Sequence, residues 1–305
     1  MPPFPHPGSG VRNPVGVHFS GGTRGLDGVL SRVDELGCEA VQLLIDVPSE
    51  GAPPDPVAAN RFRDGCAERG LRVFAHAPYR VNLASPTSVT QALSAAALTH
   101  SLARGRALGA EAVVVHPGSY VDSHVPAHHL YAQAMAQVRA TLLPILDSLT
   151  DDDPWVLIEP TAGVGRSVCP GVEDLSAYFS AIDFHPRAGV CLDTCHAFAA
   201  GALLDRPGGP GVTLASVAAL GPDRLRLIHA NDAAGPRASS EQTTIVPVHR
   251  HAGFGTGLIG LAAFGELLSH PLTAGVPFIL ETAEATESGN TELDLLKKLR
   301  EESPQ

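Results

Sequence analysis

Asp193 and His196 lie three residues apart at the end of the apolar segment Gly189–Leu192. A carboxylate and an imidazole are ligands that zinc and manganese accept in proteins. Neither residue forms a site alone, but the same arrangement recurs along the chain. Six apolar segments end in a side chain that can bind a metal, namely His76, His116, Glu159, Asp193, His229 and Glu281.

A second pair of imidazoles lies in the long connection of residues 231–257. His249 and His251 are separated by one residue, so an extended segment places both on the same side. With His196, they bring the set to six imidazoles and three carboxylates, which could hold two or three divalent ions. A single His at the end of a strand is more often a hydrogen-bonded core residue. Structural histidines have no reason to follow successive strands, however, so we predict a metal site.

Eight apolar segments have the length and composition of buried strands, and helical patterns separate them. The strands are predicted at residues 15–19, 40–45, 71–76, 112–116, 155–159, 188–193, 225–229 and 277–281. The helices are predicted through residues 30–36, before Gly70, and at 87–108, 124–148, 171–182, 212–220, 258–269 and 291–300. This alternation indicates a parallel sheet, and eight strands close it into a single (β/α)8 TIM barrel of the α/β class. The active sites of such barrels lie at the C-terminal ends of the strands, where these side chains would meet.

The domain organisation follows from the same pattern. Residues 1–13 are rich in Pro and Gly and are predicted to form a flexible tail. Residues 14–305 are predicted to form one TIM-barrel catalytic domain.

The composition restricts the classes of function. The net charge of −11 argues against a broad basic surface for nucleic acid, although each bound divalent ion would add two positive charges. The only lysines are Lys297 and Lys298, so a Schiff-base mechanism has almost no candidate residue. There is no run of about 18 apolar residues and no signal peptide, so we expect a soluble cytoplasmic protein.

The five cysteines are scattered and form no CxxC pair, which indicates a reducing compartment without a disulfide framework. Cys191 and Cys195 flank Asp193 closely. We expect both to pack in the core rather than to bind a metal.

The residues that end the strands occur in motifs that resemble those of endonuclease IV, a family of metal-dependent apurinic/apyrimidinic endonucleases on a TIM barrel. The resemblance runs from Gly16 to about Thr282 and is most specific at Gly189–Gly201 and His116–Ser119. The other motifs are His76–Tyr79 with Asn82–Ala84, Glu159 before Thr161–Gly163, His229–Asp232, Arg250–His251 and Leu280–Thr282.

The resemblance implies a centre of up to three zinc ions, with manganese as an alternative at one of them. The ligands of the first ion would be His76, His116 and Glu159. The ligands of the second would be Glu159, as a bridge, with Asp193, His229 and Glu281. The ligands of the third would be His196, His251 and the residue at position 249.

Position 249 departs from the family, which has an aspartate where this chain has His249. The change would produce a site of three imidazoles, which zinc accepts. It would also remove one negative charge. The centre would then either hold phosphate more strongly or bind its third ion more weakly at acidic pH, and the sequence leaves both outcomes open.

The segments that would contact DNA also differ from the family. Tyr79 is retained, but Arg80 stands where an apolar wedge is common, and Val164 stands where glutamine is usual. The segment Leu44–Glu50 offers acid and proline in place of a loop with Gln and Arg. The sequence therefore determines metal binding better than it determines how DNA is engaged.

The activity implied by the resemblance is hydrolysis of the phosphodiester 5′ to an abasic site in double-stranded DNA, leaving a 3′-hydroxyl and a 5′-deoxyribose phosphate. Glu159 would be the catalytic residue, because it holds the pair of ions that activates water and clamps the phosphate. The residues that would bind the substrate are Tyr79, Arg80, Arg166 and Arg250. No protein partner is implied, and we expect a monomer.

Two other functions stay open. The first is a single-metal sugar isomerase or epimerase, because the second ion's ligands are also those of xylose-isomerase-like barrels. One ion cannot use the remaining imidazoles, which are His76, His116, His196 and His251. The second is a protein that binds abasic DNA without cutting it.

Overall fold

The structure is a computed structural model that describes residues 12–20, 25–46, 56–120, 127–162, 166–236, 251–282 and 291–303, without the side chains of residues 127 and 128. The strands in this part of the chain are β1 (Val15–Phe19), β2 (Ala40–Leu44), β3 (Arg72–His76), β4 (Ala112–Val115), β5 (Trp155–Ile158), β6 (Ala188–Asp193), β7 (Leu225–His229), β8 (Asp232–Ala233), β9 (His251–Ala252) and β10 (Phe278–Leu280).

The α-helices described are α1 (Gly25–Leu36), α2 (Pro56–Glu68), α3 (Ser88–Leu108), α4 (Ala127–Asp147), α5 (Leu175–Ala181), α6 (Thr194–Ala199), α7 (Gly209–Ala218), α8 (Leu261–Ser269) and α9 (Thr291–Glu302). None of them is both long and apolar enough to cross a membrane.

Eight of the strands form a closed barrel in the order β1-β10-β7-β6-β5-β4-β3-β2. All neighbouring strands in it are parallel, from the pair of β1 and β2 to the pair of β7 and β10. The predicted TIM barrel is thereby confirmed. The structure also contains elements that the sequence patterns did not indicate, namely α6 and the antiparallel pair of β8 and β9.

Most predicted helices agree with the structure to within a few residues. The prediction was wrong at the start of α7, which begins at Gly209 rather than at residue 212, and of α8, which begins at Leu261 rather than at 258. The helix predicted at 171–182 begins as a 3-10 turn, Val172–Asp174, before α5. These differences lie at helix ends, where the apolar repeat is weakest.

The interior of the barrel contains a layer of apolar side chains that fixes the strands. Its members include Phe74, Leu157, Cys191, Leu227 and Ile279, all of them fully buried. Each large apolar side chain stabilises the barrel by about 1.5–3 kcal/mol on burial. Because side chains alternate along a strand, the residue two positions later also points inward, one layer nearer the C-terminal end. Those residues are His76, Glu159, Asp193, His229 and Glu281.

Gly16 marks the closest approach of two barrel strands. It pairs with Ala40, and a Cβ atom at Gly16 would lie 1.8 Å from the carbonyl oxygen of Ala40. A side chain at this position would therefore force β1 and β2 apart. His18, two residues later, is buried beside the other inward residues of the C-terminal layer.

Most of the predicted tail, residues 1–11, lies outside the described residues. Its last two residues, Arg12 and Asn13, contact the barrel. Arg12 donates a hydrogen bond to the carbonyl oxygen of Ser303 over 3.0 Å, and the fully buried Asn13 donates to that of Val276 over 3.2 Å. The division of the chain into a tail and one catalytic domain stays a prediction.

Candidate metal centre

Eight of the nine predicted ligands lie in the described part of the chain, and they surround one site at the C-terminal mouth of the barrel. The ninth, His249, lies outside the described residues, as do Arg250 and Val164. The eight side chains fall into three groups that share Glu159 and Asp193.

The first group consists of His76, His116 and Glu159, whose ligand atoms lie within 4.8 Å of one another. Nε2 of His76 is 3.2 Å and Nε2 of His116 is 3.6 Å from the same oxygen, Oε2 of Glu159. Nδ1 of His76 faces the carbonyl oxygen of Ala77 at 2.6 Å and donates to it. This bond leaves the lone pair of His76 on Nε2, directed at the centre of the group.

The second group consists of Glu159, Asp193, His229 and Glu281. Nδ1 of His229 lies 3.5 Å from Oε1 of Glu159, 3.9 Å from Oδ2 of Asp193 and 3.3 Å from Oε2 of Glu281. The His229 ring is fully buried, and this nitrogen makes no hydrogen bond in the described structure. A lone pair facing three carboxylates fits a cation held between them, so these residues suit a divalent metal.

The third group contains His196 and His251 beside Asp193. Nε2 of His251 lies 3.4 Å from Oδ2 of Asp193, and Nδ1 of His196 lies 3.7 Å from the same oxygen. His196 also lies 2.9 Å from Oε1 of Glu159, so it connects this group to the other two. Cys195 is buried in the hydrophobic core, in agreement with its predicted packing role, and its thiol also falls within 4.8 Å of the ligand atoms of Asp193 and His251.

The short helix α6 places His196. Oδ1 of Asp193 accepts a hydrogen bond from the backbone N–H of His196 over 2.7 Å and thereby caps the N-terminus of the helix. Since Oδ1 is used in this way, Oδ2 is the oxygen that faces His229 and His251. One carboxylate thus both starts the helix and serves the site.

The antiparallel pair of β8 and β9 places His251. The buried carboxylate of Asp232 accepts hydrogen bonds from the backbone N–H groups of Ala233, Gly257 and Ile259 over 2.8–3.0 Å. These bonds tie the segment after β9 to the end of β7. The sequence analysis placed Asp232 in the motif His229–Asp232 but assigned it no role.

The buried charges of the centre shift one another's pKa values. Burial alone would raise the pKa of Glu159, but its surrounding imidazoles, His229 foremost, hold it well below its usual range. Burial opposes ionisation of Asp193 too, yet His196 and His251 lower its pKa. Burial would lower the pKa of His196, but Asp193 and Glu159 outweigh it and raise the value to about 9. Without metal, His196 is therefore protonated at neutral pH, and a cation that binds must displace protons.

A groove of about 400 Å³ opens beside the centre, and the predicted substrate residues Tyr79 and Arg80 line it together with His116 and His196. The ring of Tyr79 lies 5.0 Å from that of His76 and is 57% exposed. Arg166 does not line this groove; its guanidinium lies over the ring of Tyr120, 6.0 Å from the centroid.

The loops after β3 and β4 form the floor of this groove and are tied together by Asn82. Its side chain donates to the carbonyl oxygen of Ser119 and accepts from the N–H of Ser119, both over 2.9 Å. Gly118, directly before Ser119, has φ +97°, and a Cβ atom at this position would lie 2.7 Å from Oδ1 of Asn82. These two loops therefore hold His116 and Tyr79 in a fixed relation.

Three residues of the site were missed by the sequence analysis, namely His18, Gln42 and Asn231. His18 follows the same rule as the predicted ligands, since it lies near the end of a strand, and could have been found. Gln42 carries an amide, which is not a preferred zinc ligand, and gave no signal. Asn231 lies in the motif His229–Asp232, but no role was assigned to it.

Comparison with known proteins identifies relatives along most of the chain. The sequence pattern of the family described as Xylose isomerase-like TIM barrel matches residues 30–300. A probable endonuclease 4 of Streptomyces avermitilis is 43% identical over 298 residues, covering 95% of this chain and 91% of the relative. Another, of Streptomyces coelicolor, is 44% identical over 296 residues, covering 95% and 96%. The crystal structure of endonuclease IV from Thermus thermophilus superposes with a TM-score of 0.73 at 28% identity, covering 95% of this chain and 99% of that one.

Proposed function

We infer the function from one premise: the chain belongs to the endonuclease IV family of xylose isomerase-like TIM barrels. It is accordingly a hydrolase of the apurinic/apyrimidinic endonuclease type, with a function in DNA repair. We propose that it hydrolyses the phosphodiester 5′ to an abasic site, that the reaction requires divalent metal, and that the products are a 3′-hydroxyl and a 5′-deoxyribose phosphate.

The observation that carries this proposal is the position of Nδ1 of His229, which lies 3.3–3.9 Å from three carboxylate oxygens without a hydrogen bond in the described structure. The ligand sets suit zinc, with up to three ions in the whole centre and manganese as an alternative at one site. Bound ions of this kind lower the pKa of a coordinated water and stabilise negative charge on a phosphate.

In this proposal Glu159 is the catalytic residue, because its two oxygens serve different groups. Oε2 faces His76 and His116, whereas Oε1 faces His196 and His229. One carboxylate would thus hold two ions at a fixed separation. Glu159 is also the member of the centre common to the first and second groups.

The groove beside the centre would receive the substrate. Tyr79 would cover the deoxyribose that is turned out of the helix, which costs little at an abasic site because no base is unstacked there. Arg80, Arg166 and Arg250 would contact the phosphates of the DNA backbone. Bound ions would offset part of the net charge of −11 where the backbone approaches.

The rival activity on sugars uses one ion and the second group alone. The first group of ligands disfavours this activity. His76 and His116 lie close to Oε2 of Glu159, and a single ion held by the second group would not bind them. The rival without cleavage rests on His249, Val164 and the segment Leu44–Glu50, most of which lie outside the described residues. An assay of incision separates all three functions.

The test is an incision assay on a duplex that contains one synthetic abasic site, run on the full chain with and without a chelator. We expect cleavage on the 5′ side, its loss with chelator and its return when zinc is added. A duplex with an ordinary nucleotide at that position is the control and should stay intact. Turnover of ketoses without incision would support the isomerase, and chelator-insensitive binding without incision would support the non-cutting protein.

A further inference from the structure

The amide of Gln42 lies directly behind the second group of ligands. Gln42 is fully buried on the inner face of β2, and its amide contacts three side chains. Its Oε1 lies 2.9 Å from Nε2 of His229, and its Nε2 lies 3.0 Å from Oε1 of Glu281 and 2.8 Å from Nδ1 of His18. Two of these partners belong to the proposed metal centre.

The direction of these bonds follows from their chemistry. An ionised carboxylate only accepts hydrogen bonds, so the NH₂ group of Gln42 must face Glu281. The carbonyl oxygen of the amide then faces His229 and can only accept. His229 must therefore carry its proton on Nε2, which leaves the lone pair on Nδ1.

We propose that Gln42 is a positioning residue for the metal centre: it selects the His229 tautomer whose Nδ1 lone pair faces the carboxylates, and it orients Glu281 with the same amide. The inference rests on the metal centre of the proposed function. Gln42 touches no ion in this arrangement, so it acts only through these two ligands. His18 accepts the second N–H of the amide, which stops the amide from rotating.

Asn231 provides the comparison. Its Nδ2 donates to Oδ2 of Asp193 over 2.8 Å and to Oε2 of Glu281 over 3.0 Å, and its Oδ1 accepts from the backbone N–H of Glu281. The amide groups of Asn231 are thus directed at two carboxylates and at the backbone. Each oxygen of Glu281 is held by a different amide, and the amide of Gln42 is the one that also binds the imidazole of His229.

The first test is the variant Gln42→Met, which keeps the length of the side chain and removes the amide. Zinc affinity is measured by competition with a chromophoric chelator on the full chain. We expect one ion per chain to bind about 10–100-fold more weakly, as is typical when a partner of a metal ligand is lost, while the remaining ions are unaffected. Gln91→Met is the matched control, because the amide of Gln91 donates to the carbonyl oxygen of Ser85, outside all three ligand groups.

The second test needs no variant and therefore does not depend on whether Gln42→Met folds. Long-range ¹H–¹⁵N NMR spectra of the zinc-loaded wild-type protein report which nitrogen of each His carries a proton. We expect His229 to be protonated on Nε2 and to bind zinc through Nδ1.

The outcomes separate this inference from the proposed function. A Gln42→Met variant that keeps wild-type affinity for every ion would overturn the role of Gln42 alone. A proton on Nδ1 of His229 in the zinc-loaded protein would overturn both the role of Gln42 and the use of that nitrogen as a metal ligand. A wild-type chain that holds no zinc at all would overturn the metal centre and this inference with it.

Discussion

Glu159 and His229 face each other across the mouth of the barrel, with Oε1 of the carboxylate 3.5 Å from Nδ1 of the imidazole. Glu159 directly follows β5, and His229 is the last residue of β7. In the barrel, β6 lies between these two strands. Both side chains are almost fully buried. An ionised carboxylate and an imidazole lone pair are held at this distance most readily by a shared cation.

Replacing Glu159 by Gln should abolish incision. The amide keeps the shape of the side chain but loses the charge that two ions would share. We expect the rate to fall at least about 100-fold, since even partners of metal ligands often cost 10–100-fold. Single-turnover incision and metal content should be measured together. Glu35→Gln, at an exposed residue paired with Arg32, is the control and should match the wild type.

The metal-free protein should lose stability as the pH rises. Burial would lower the pKa values of His196, His229 and His251, but their neighbours raise them, that of His196 to about 9. The foremost such neighbour is Asp193 for His196 and His251, and Cys191 followed by Glu281 and Glu159 for His229. A group with a raised pKa stabilises the fold fully below its unfolded pKa, about 6.5, and loses this effect as the pH rises through the folded value. For His196 the loss is about 3 kcal/mol at most.

Urea unfolding in the presence of a chelator, at several pH values between about 6 and 9.5, measures this effect. The free energy of unfolding should be highest at the acidic end of that range. Zinc affinity should change in the opposite direction, because protons compete with the ion for the same nitrogens. A free energy that does not vary over this range would show that the imidazoles are not held by the carboxylates.

Replacing Arg80 by Ala should weaken DNA binding without changing metal content. Arg80 lines the groove beside the centre, and none of the three ligand groups contains it. A single phosphate contact contributes about one unit to the dependence of the binding constant on salt. The slope of log K against log salt should therefore fall by about one, whereas an unchanged slope would remove Arg80 from the DNA-binding surface.

Replacing Asp232 by Asn should release the segment that carries His251. The substitution turns one of the acceptor oxygens into a donor, beside backbone N–H groups that then lose their partner. A buried donor left unsatisfied costs about 1–3 kcal/mol. Thermal unfolding should show this loss, and one ion should bind more weakly. Asp64→Asn, at an exposed residue, is the control for the same change of charge.

The metal content near neutral pH tests the role of His249. If this imidazole serves in place of the family aspartate, the purified chain should hold about three ions, as a site of three imidazoles is acceptable to zinc. The variant His249→Asp should then hold the same number. A wild-type content of two or fewer that rises to three in the variant would mean that His249 does not replace the aspartate.

Much of the centre could be predicted because it obeys a local rule. A parallel strand with an apolar inward residue and, two positions later, a His or carboxylate places that side chain at the barrel mouth, as at Leu157 and Glu159 or Leu227 and His229. The rule needs only the two-residue period of a strand and the fact that all strands run the same way. His18 follows the same rule and was overlooked.

The sequence by itself determined the eight strands, the barrel and the kinds of side chain at its mouth, because each of these depends on residues close together in the chain. Only the tertiary structure decided how those side chains are held. Gln42 and His229 are 187 residues apart and meet only because the barrel closes, whereas Asn231 and Asp193 are 38 residues apart and meet because β6 and β7 pair. Such contacts leave no period in the sequence, and they orient each ligand toward the ion that it would bind.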